Sequence, residues 1–425
     1  MSLTLTDTLQ ILIHESACKS NGWLGFDRFM ALALYSPGLG YYANDLRKFG
    51  LMPGGQNESG SDFVTAPEMS PRFGQALARQ IAESFQATGT REVWEFGAGS
   101  GALAEQILLS LPEIERYTIV DLSGSLRVRQ QQRLSAFAGR VHWATALPEK
   151  MCGVVIGNEL LDAMPVRLLA RVNGMWNERG VAVTPALVAS RTALPPGGAT
   201  PPNGGLSAGL AVTPTLVASR TALPPGGATP PKGGLSAGLA SPPNYQLVFA
   251  DQPTDLRPPS EVAGTHDYLT EIHPQAEGFI RTLADKLEAG AIFLIDYGFP
   301  EHEYYHPQRS MGTVLCHRAH QVDADALSDV GYKDITAHVN FTGIALAGQE
   351  AGLTVLGYTG QGRFLLNCGV LDNMEDATIK DRTMVQKLIN EHEMGELFKV
   401  IAFGAKNAVA WQPMGFAVGD RTHTL

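Results

Sequence analysis

The residues Glu95-Phe96-Gly97-Ala98-Gly99-Ser100-Gly101 join an apolar run, Glu92 to Phe96, to a helical pattern, Ala102 to Ser110. A strand that runs straight into a glycine loop and out into a helix aims backbone N–H groups at a ligand beyond the carboxyl end of a sheet. Gly97 permits the tight turn, Gly99 lets the ligand approach the backbone, and Gly101 allows close packing of the helix. Asp121 ends the next strand, Arg116 to Asp121, where a carboxylate can accept hydrogen bonds from two ribose hydroxyls. The pattern therefore asks for a nucleoside-containing ligand. Gly97, Gly99 and Ala102 also satisfy G-x-G-x-x-A, so the loop alone leaves a nicotinamide dinucleotide open. Glu95, immediately before the glycines, argues the other way: its charge disfavours a pyrophosphate and suits the cationic methionine end of S-adenosylmethionine.

A second constellation, Gly157-Asn158-Glu159-Leu160-Leu161-Asp162-Ala163-Met164-Pro165, follows a fourth apolar run, Gly153 to Gly157. In a doubly wound sheet that strand end lies across the crevice from the glycine loop. It presents an amide, two carboxylates and a terminating proline where a substrate would sit. Helix capping by Asn158 and Asp162 is the alternative reading. The cysteines, Cys18, Cys152, Cys316 and Cys368, form no C-x-x-C pair, and the histidines are scattered, so no metal site is expected.

The elements that must position these groups alternate. Strand-like runs at Glu92–Phe96, Arg116–Asp121, Val141–Trp143 and Gly153–Gly157 are separated by helical patterns at Ala102–Ser110 and Ser125–Phe137; Pro274–Leu287 is helical and precedes a buried strand, Ala291–Asp296. This alternation predicts βαβ units and an α/β, doubly wound, Rossmann-like sheet. Upstream, Thr6–Ala17, with Thr6 as cap, and Pro71–Phe85 read as amphipathic helices. Val166–Val172 and Met175–Val183 flank Asn173-Gly174, a strong hairpin signal, and Tyr245–Phe249 resumes the β pattern, so an inserted antiparallel lid is expected. Within it Thr184–Val212 recurs as Thr213–Ser241 with changes only at Thr215, Lys232 and Ser241. These 58 residues hold 10 Pro, 10 Gly and no aromatic side chain, so 184–241 reads as a disordered duplicated insertion. The organisation expected is a helical and substrate-loop region over 1–90, the first part of the catalytic domain over 91–165, the extension over 166–273 and the remainder over 274–425. Across all 425 residues, 32 basic side chains face 42 acidic ones, a net charge of −10 with no basic run, which excludes a nucleic-acid-binding surface. No apolar stretch reaches the ~20 residues of a membrane span, and Met1–Ser20 has neither signal nor transit character, so a cytoplasmic protein is expected.

The succession Tyr35-Ser36-Pro37, Tyr41-Tyr42, Ser61-Asp62-Phe63-Val64-Thr65-Ala66-Pro67-Glu68, Glu95–Gly101, Gly157–Pro165, Asp296-Tyr297-Gly298 and Asp334-Ile335-Thr336-Ala337-His338-Val339 resembles that of the MidA-like family, over nearly the whole chain apart from the repeat. The resemblance implies a class I S-adenosylmethionine-dependent methyltransferase fold, with a seven-stranded sheet whose last strand, Leu397–Phe403 here, is antiparallel. The family's mitochondrial member is an assembly factor of respiratory complex I and symmetrically dimethylates an arginine of one of its subunits. The implied activity is protein arginine N-methylation of a respiratory or other macromolecular-complex subunit. A small-molecule methyltransferase and a cofactor-binding assembly factor without essential catalysis are the alternatives. Glu95, Gly97, Gly99, Gly101, Asp121, Trp143 and Asn158 are the expected cofactor residues. Two departures stand out: the family commonly has Glu where this chain has Asp121, and Trp143-Ala144-Thr145 offers no acid for adenine, leaving backbone groups or stacking on Trp143. A guanidinium acceptor needs carboxylates to hold the cation and localise its lone pair. Glu159 and Asp162, oriented by Asn158, come first for that task, Glu68 and Asp62 second, with Asp296-Tyr297 completing the wall and His338 a candidate proton acceptor.

Overall fold

The computed structural model describes residues 4–44, 65–121, 124–185, 245–318, 321–375, 377–406 and 411–425. Asp62 and the duplicated segment from residue 186 onward lie outside the described residues.

Helix α1 (Leu5–Cys18) begins earlier than the Thr6 cap suggests. The Thr4 hydroxyl accepts from Asp7 N, and the Asp7 carboxylate accepts from Thr4 N at 2.9 Å, closing a capping box. After β1 (Trp23–Gly25), α2 (Phe26–Tyr35) and α3 (Ala66–Met69) comes α4 (Pro71–Thr88). The Ser70 hydroxyl caps α4, Pro71 occupies the first turn, where its missing N–H costs nothing, and left-handed Gly89 ends it. Phe73, Leu77, Ile81 and Phe85, four apart, form its buried stripe.

The catalytic sheet then starts with β2 (Glu92–Phe96), α5 (Ala102–Ser110), β3 (Arg116–Val120), α6 (Gly124–Arg133), β4 (Val141–Ala144) and β5 (Met151–Asn158). The helix expected to reach Phe137 stops at Arg133, because Leu134 leaves helical geometry and Ser135–Phe137 tightens into a 3-10 turn. The extension supplies β6 (Arg167–Val172), β7 (Met175–Pro185), β8 (Tyr245–Pro253) and β9 (Tyr268–Ile272). The chain returns through α7 (Pro274–Lys286) to β10 (Leu287–Phe299) and α8 (Glu301–Tyr304). A small sheet of β11 (Leu315–Arg318), β12 (Gln321–Asp323) and β13 (Asp334–Thr336) precedes β14 (Val339–Asn340), α9 (Phe341–Glu350) and β15 (Thr354–Gly360). Helices α10 (Gln361–Asn367), α11 (Ile379–Ile389) and α12 (Met394–Leu397) lead into β16 (Phe398–Gly404).

The main sheet has the order β15-β16-β10-β5-β2-β3-β4, with β14 beside β10. β10, β5, β2, β3 and β4 run parallel, and β16 is antiparallel to both of its neighbours, as the resemblance implied. β2 and β5 are neighbours although their connections leave in opposite directions across the sheet, so a crevice opens at their carboxyl ends. Both faces of the sheet are covered. Along β10, Ala291, Phe293 and Ile295 pack with Phe73, Leu77 and Ile107, while Ile292 and Leu294 pack with Phe279, Ile280 and Ile344. α4 belongs to the first of these cores, so the N-terminal region is already part of the sheet's flank before residue 91.

The extension is a five-stranded antiparallel sheet, and β1 from the N-terminal region is one of its members, paired with β7 through Leu24 and Val181. Asn173 (φ 51°) and Gly174 (φ 80°) make the expected hairpin turn, where two left-handed residues match the strand twist. Among the described residues no helix is long and apolar enough to cross a membrane. β7 and β8 pair as far as Pro185 and Tyr245, so the chain leaves and re-enters at one hairpin end. Replacing residues 186–244 by Asn-Gly should keep the fold, with thermal unfolding unchanged or raised: closing a loop some five doublings shorter is worth about 3 kcal/mol at most. A fall of several degrees in Tm would show that the removed residues pack on the domain.

Candidate active site

The glycine loop adopts the backbone its residues permit. Gly97, Gly99 and Gly101 all have left-handed φ, at 70°, 53° and 81°, and Gly101 leads into α5. The loop forms one wall of a cleft; Thr65 and Pro67 from the α3 segment and Glu95 and Asn158 from the ends of β2 and β5 complete it. Glu95 is buried and accepts from the Tyr117 hydroxyl at 2.8 Å. Burial pushes its carboxyl up to about 8; the Tyr117 hydrogen bond pulls it down and the Asp121 charge pushes it further up.

Behind the loop a single buried amide ties the expected nucleoside residues together. Gln130 Nε2 donates to the Asp121 carboxylate at 2.9 Å and to the Gly99 carbonyl at 3.0 Å, and its Oε1 accepts from the Trp143 indole N–H at 2.9 Å. Trp143 thus spends its one donor on Gln130, packs beside the core and carries Arg127 over its ring at 6.0 Å. Gln130 was not among the residues singled out from sequence. Its signal was its place on α6 midway between the buried Leu126 and Leu134, four residues from each, where an amide cannot stay without partners.

The segment after β5 is a turn, not a helix, so neither Asn158 nor Asp162 caps one. Its shape is imposed by Asp296 at the end of β10. Asp296 Oδ2 accepts from the backbone N–H groups of Leu160, Leu161 and Asp162 at 2.9, 2.7 and 3.3 Å, and Oδ1 from Tyr297 N at 2.9 Å. Glu159 N donates to the Ile295 carbonyl at 2.7 Å, and Glu159 takes a left-handed φ of 53°, a strain of about 1 kcal/mol or more for a side-chain-bearing residue. The result is a cluster of carboxyls with no exposure to solvent: Glu159 (0%), Asp162 (1%), Asp296 (0%) and Asp334 (0%). Asp334 is held by the Tyr42 hydroxyl at 2.7 Å, and Tyr35 donates to the Ala163 carbonyl. Asn158 Nδ2 donates to Glu159 Oε1 at 3.0 Å, but Glu159 Oε2 and both Asp162 oxygens have no hydrogen-bond partner. The Tyr297 hydroxyl approaches Asp162 without closing a bond of standard geometry. Burial raises Glu159 and Asp162 well above the usual carboxylate range, and the Asp296 charge adds to both. Asp296 itself rises to about 7, burial outweighing its four backbone donors.

The remaining expected residues are dispersed. Glu68 lies against the glycine loop, bonded to the Ser100 hydroxyl and paired with Arg133 at 3.1 Å. His338 stands between the Tyr297 and Phe299 rings, at centroid distances of 5.1 and 5.2 Å, and reaches the carboxyls only through Tyr297. Burial, with Arg309 and Lys399 nearby, pushes His338 down to about 4.

A family model for S-adenosyl-L-methionine-dependent methyltransferases matches residues 76–359. A crystal structure of a Burkholderia thailandensis protein bound to S-adenosyl-homocysteine is 40% identical with a TM-score of 0.80, covering 99% of this chain and 97% of that one. The chain belongs to the MidA-like family of S-adenosylmethionine-dependent methyltransferases. Mitochondrial protein arginine methyltransferases NDUFAF7 are more distant relatives. That of Xenopus laevis is 25% identical over an alignment of 426 residues, covering 90% of this chain and 81% of the relative. That of Danio rerio is 23% identical, covering 92% and 85%.

As in the rest of the MidA-like family, S-adenosylmethionine is the cofactor, and the cleft residues fit it. Three left-handed glycines leave the loop backbone open to a ligand, Asn158 Oδ1 is buried at the cleft without a partner, and acids stand at the ends of both β2 and β3. Gln130→Leu preserves volume but takes the donor from Gly99 O and the acceptor from the Trp143 indole, each at about 1–3 kcal/mol when buried. Calorimetry should show affinity for S-adenosyl-homocysteine reduced about tenfold or more, with a lower Tm. Unchanged values for both would mean the loop is held without this amide.

Proposed function

We propose that this methyltransferase is a protein arginine N-methyltransferase. Its cofactor lies in the cleft of Gly97–Gly101, and the acceptor guanidinium is held by Glu159 and Asp162. The acceptor is an arginine of a protein, in our reading a subunit of a respiratory or other macromolecular complex. One observation carries this reading: three carboxyl oxygens, Glu159 Oε2 and both of Asp162, are buried without a hydrogen-bond partner, and no Lys, Arg or His among the described residues pairs with either group. Buried carboxyls left in this way await a cation, and a guanidinium offers the planar array of donors that two carboxylates match. The names of the mitochondrial relatives point the same way.

The cofactor, when bound, supplies an electrophilic methyl group on a sulfonium. The chain's own work is to orient and to handle a proton. Asn158 spans both halves of the site, lining the cleft while its amide fixes Glu159 Oε1. The left-handed turn at Glu159 and the Asp296 anchor set the two acids before any substrate arrives, so little reorganisation remains. The methylated nitrogen must lose a proton, and Glu159 or Asp162, with raised affinity for protons, suits its acceptance better than His338, whose protonated form Arg309 and Lys399 oppose.

Two outcomes are expected. Glu159→Gln and Asp162→Asn should each cut methyl transfer to arginine-containing protein by about 10²-fold or more while affinity for S-adenosyl-homocysteine stays within threefold. Full activity in both would remove the acid pair from the mechanism. Glu95, whose carboxyl stands near 8, must ionise to meet the methionine ammonium, so cofactor affinity should rise as pH goes from 6 towards 8. Tyr117→Phe removes the bond that favours the charged form, which pushes Glu95 higher still and should lower affinity at pH 7 several-fold. A flat profile in titration calorimetry would place the ammonium elsewhere.

A further inference from the structure

Glu68 does not join Glu159 and Asp162; it faces the cofactor loop. Its Oε1 takes the Ser100 hydroxyl and Arg133 Nη1, at 3.1 Å; the same Nη1 donates to Ser100 Oγ at 2.8 Å, and Arg133 Nε donates to Glu105 at 2.8 Å. One guanidinium on α6 therefore closes a triangle with the glycine loop and α3 and is braced by α5. A second tie runs beside it, from Gln106 Nε2 to the Pro67 carbonyl at 2.7 Å. Helix α3 is short: Glu68 N and Met69 N close on the Thr65 carbonyl at 2.9 and 3.2 Å, and Ser70 N on that of Ala66 at 3.4 Å. Four residues cannot hold a helix by themselves, so its place is set by these side-chain ties together with Ala66, which is buried in the core.

The same short helix borders both halves of the site. Thr65 and Pro67 line the cofactor cleft, while the Ala66 backbone N–H, between them, approaches the Glu159 carboxyl without closing a bond of standard geometry. A ligand filling the cleft contacts α3 on one side and the glycine loop on the other, and the triangle, with the Gln106–Pro67 tie beside it, holds the two together. We propose that Arg133 is a positioning residue that makes cofactor occupancy set the wall of the acid pocket, so that cofactor and acceptor bind with positive coupling. By linkage the acceptor tightens the cofactor by the same factor. The last step, that the pocket takes a guanidinium, rests on the function proposed above; the coupling of the cleft to α3 does not.

The test uses the full chain and S-adenosyl-homocysteine, with hydrogen exchange as a readout that needs no acceptor. In the wild type, saturating S-adenosyl-homocysteine should slow exchange of the 68–70 amides tenfold or more. In Arg133→Leu, and in Glu68→Gln as the milder variant, the slowing should shrink to less than twofold at saturation, with Arg133→Lys recovering part of it. In methylation assays the acceptor KM of Arg133→Leu should rise about tenfold with kcat changed less than threefold. Tenfold slowing retained in both Arg133→Leu and Glu68→Gln overturns the proposal, as does a loss confined to kcat. Slowing that disappears in both variants, in a protein that methylates no arginine, sustains the coupling and overturns the arginine reading instead.

Discussion

Asp296 gathers three backbone N–H groups of the neighbouring segment onto one oxygen and a fourth onto the other. The chain leaving β5 would otherwise be free to begin a helix, as β–α connections in such sheets do. Held by Asp296, it must turn, and Glu159 must enter the left-handed region so that its N–H can reach the Ile295 carbonyl. The side chains of Glu159 and Asp162 are then directed inward, and Ala337 N closes on the Asp162 carbonyl at 2.9 Å to bring the segment of Asp334 against them. The N-terminal tyrosines, Tyr35 and Tyr42, complete the enclosure. One buried carboxylate thereby fixes the conformation of a loop, the depth of two acids and the docking of elements far apart in sequence.

Such an arrangement is expensive in isolation. Buried carboxyls close to one another cannot all ionise, and each is driven towards its neutral form by the loss of water. Acids raised in this way contribute stability that falls as pH rises through their raised native values, the reverse of an ion-paired surface acid. A cation reverses the balance. The half of the site at Gly97–Gly101 is built differently: its acids are hydrogen-bonded within the protein, Glu95 by Tyr117 and Asp121 by Gln130, and the loop sets backbone beside them.

The parts of this site that sequence makes legible are the local ones. Glu92–Phe96 and Ala102–Ser110 coincide with β2 and α5 because an apolar strand, a glycine loop and a helix constrain one another within about twenty residues. The doubly wound sheet follows from the alternation, and its antiparallel last strand from the family pattern. The rest depends on partners distant in the chain. Trp23–Gly25 is too short to read as a strand until β7 is beside it. Glu68 looks like a substrate acid until Arg133, on α6, is folded against it. Trp143 can be read as a stacking platform, but the commitment of its N–H to Gln130 appears only in the fold. Asp296 and Glu159 were both visible, yet that one is the scaffold for the other lies in backbone hydrogen bonds that no side-chain pattern encodes.

The hairpin end at Pro185 and Tyr245 bears on how the molecule forms. Partners that are adjacent in the finished sheet are separated along the chain by the whole of 186–244, and β7 must also find β1, near the N-terminus. Contacts of such long sequence separation are reached slowly, because loop closure must precede any gain from pairing. The β2–β5 layer, whose strands are joined by short helical crossovers, has no such delay. The same delay applies to β10 and β16, which reach β5 only across the whole of the extension, so the layer from β2 to β5 is the part of the molecule that can form first.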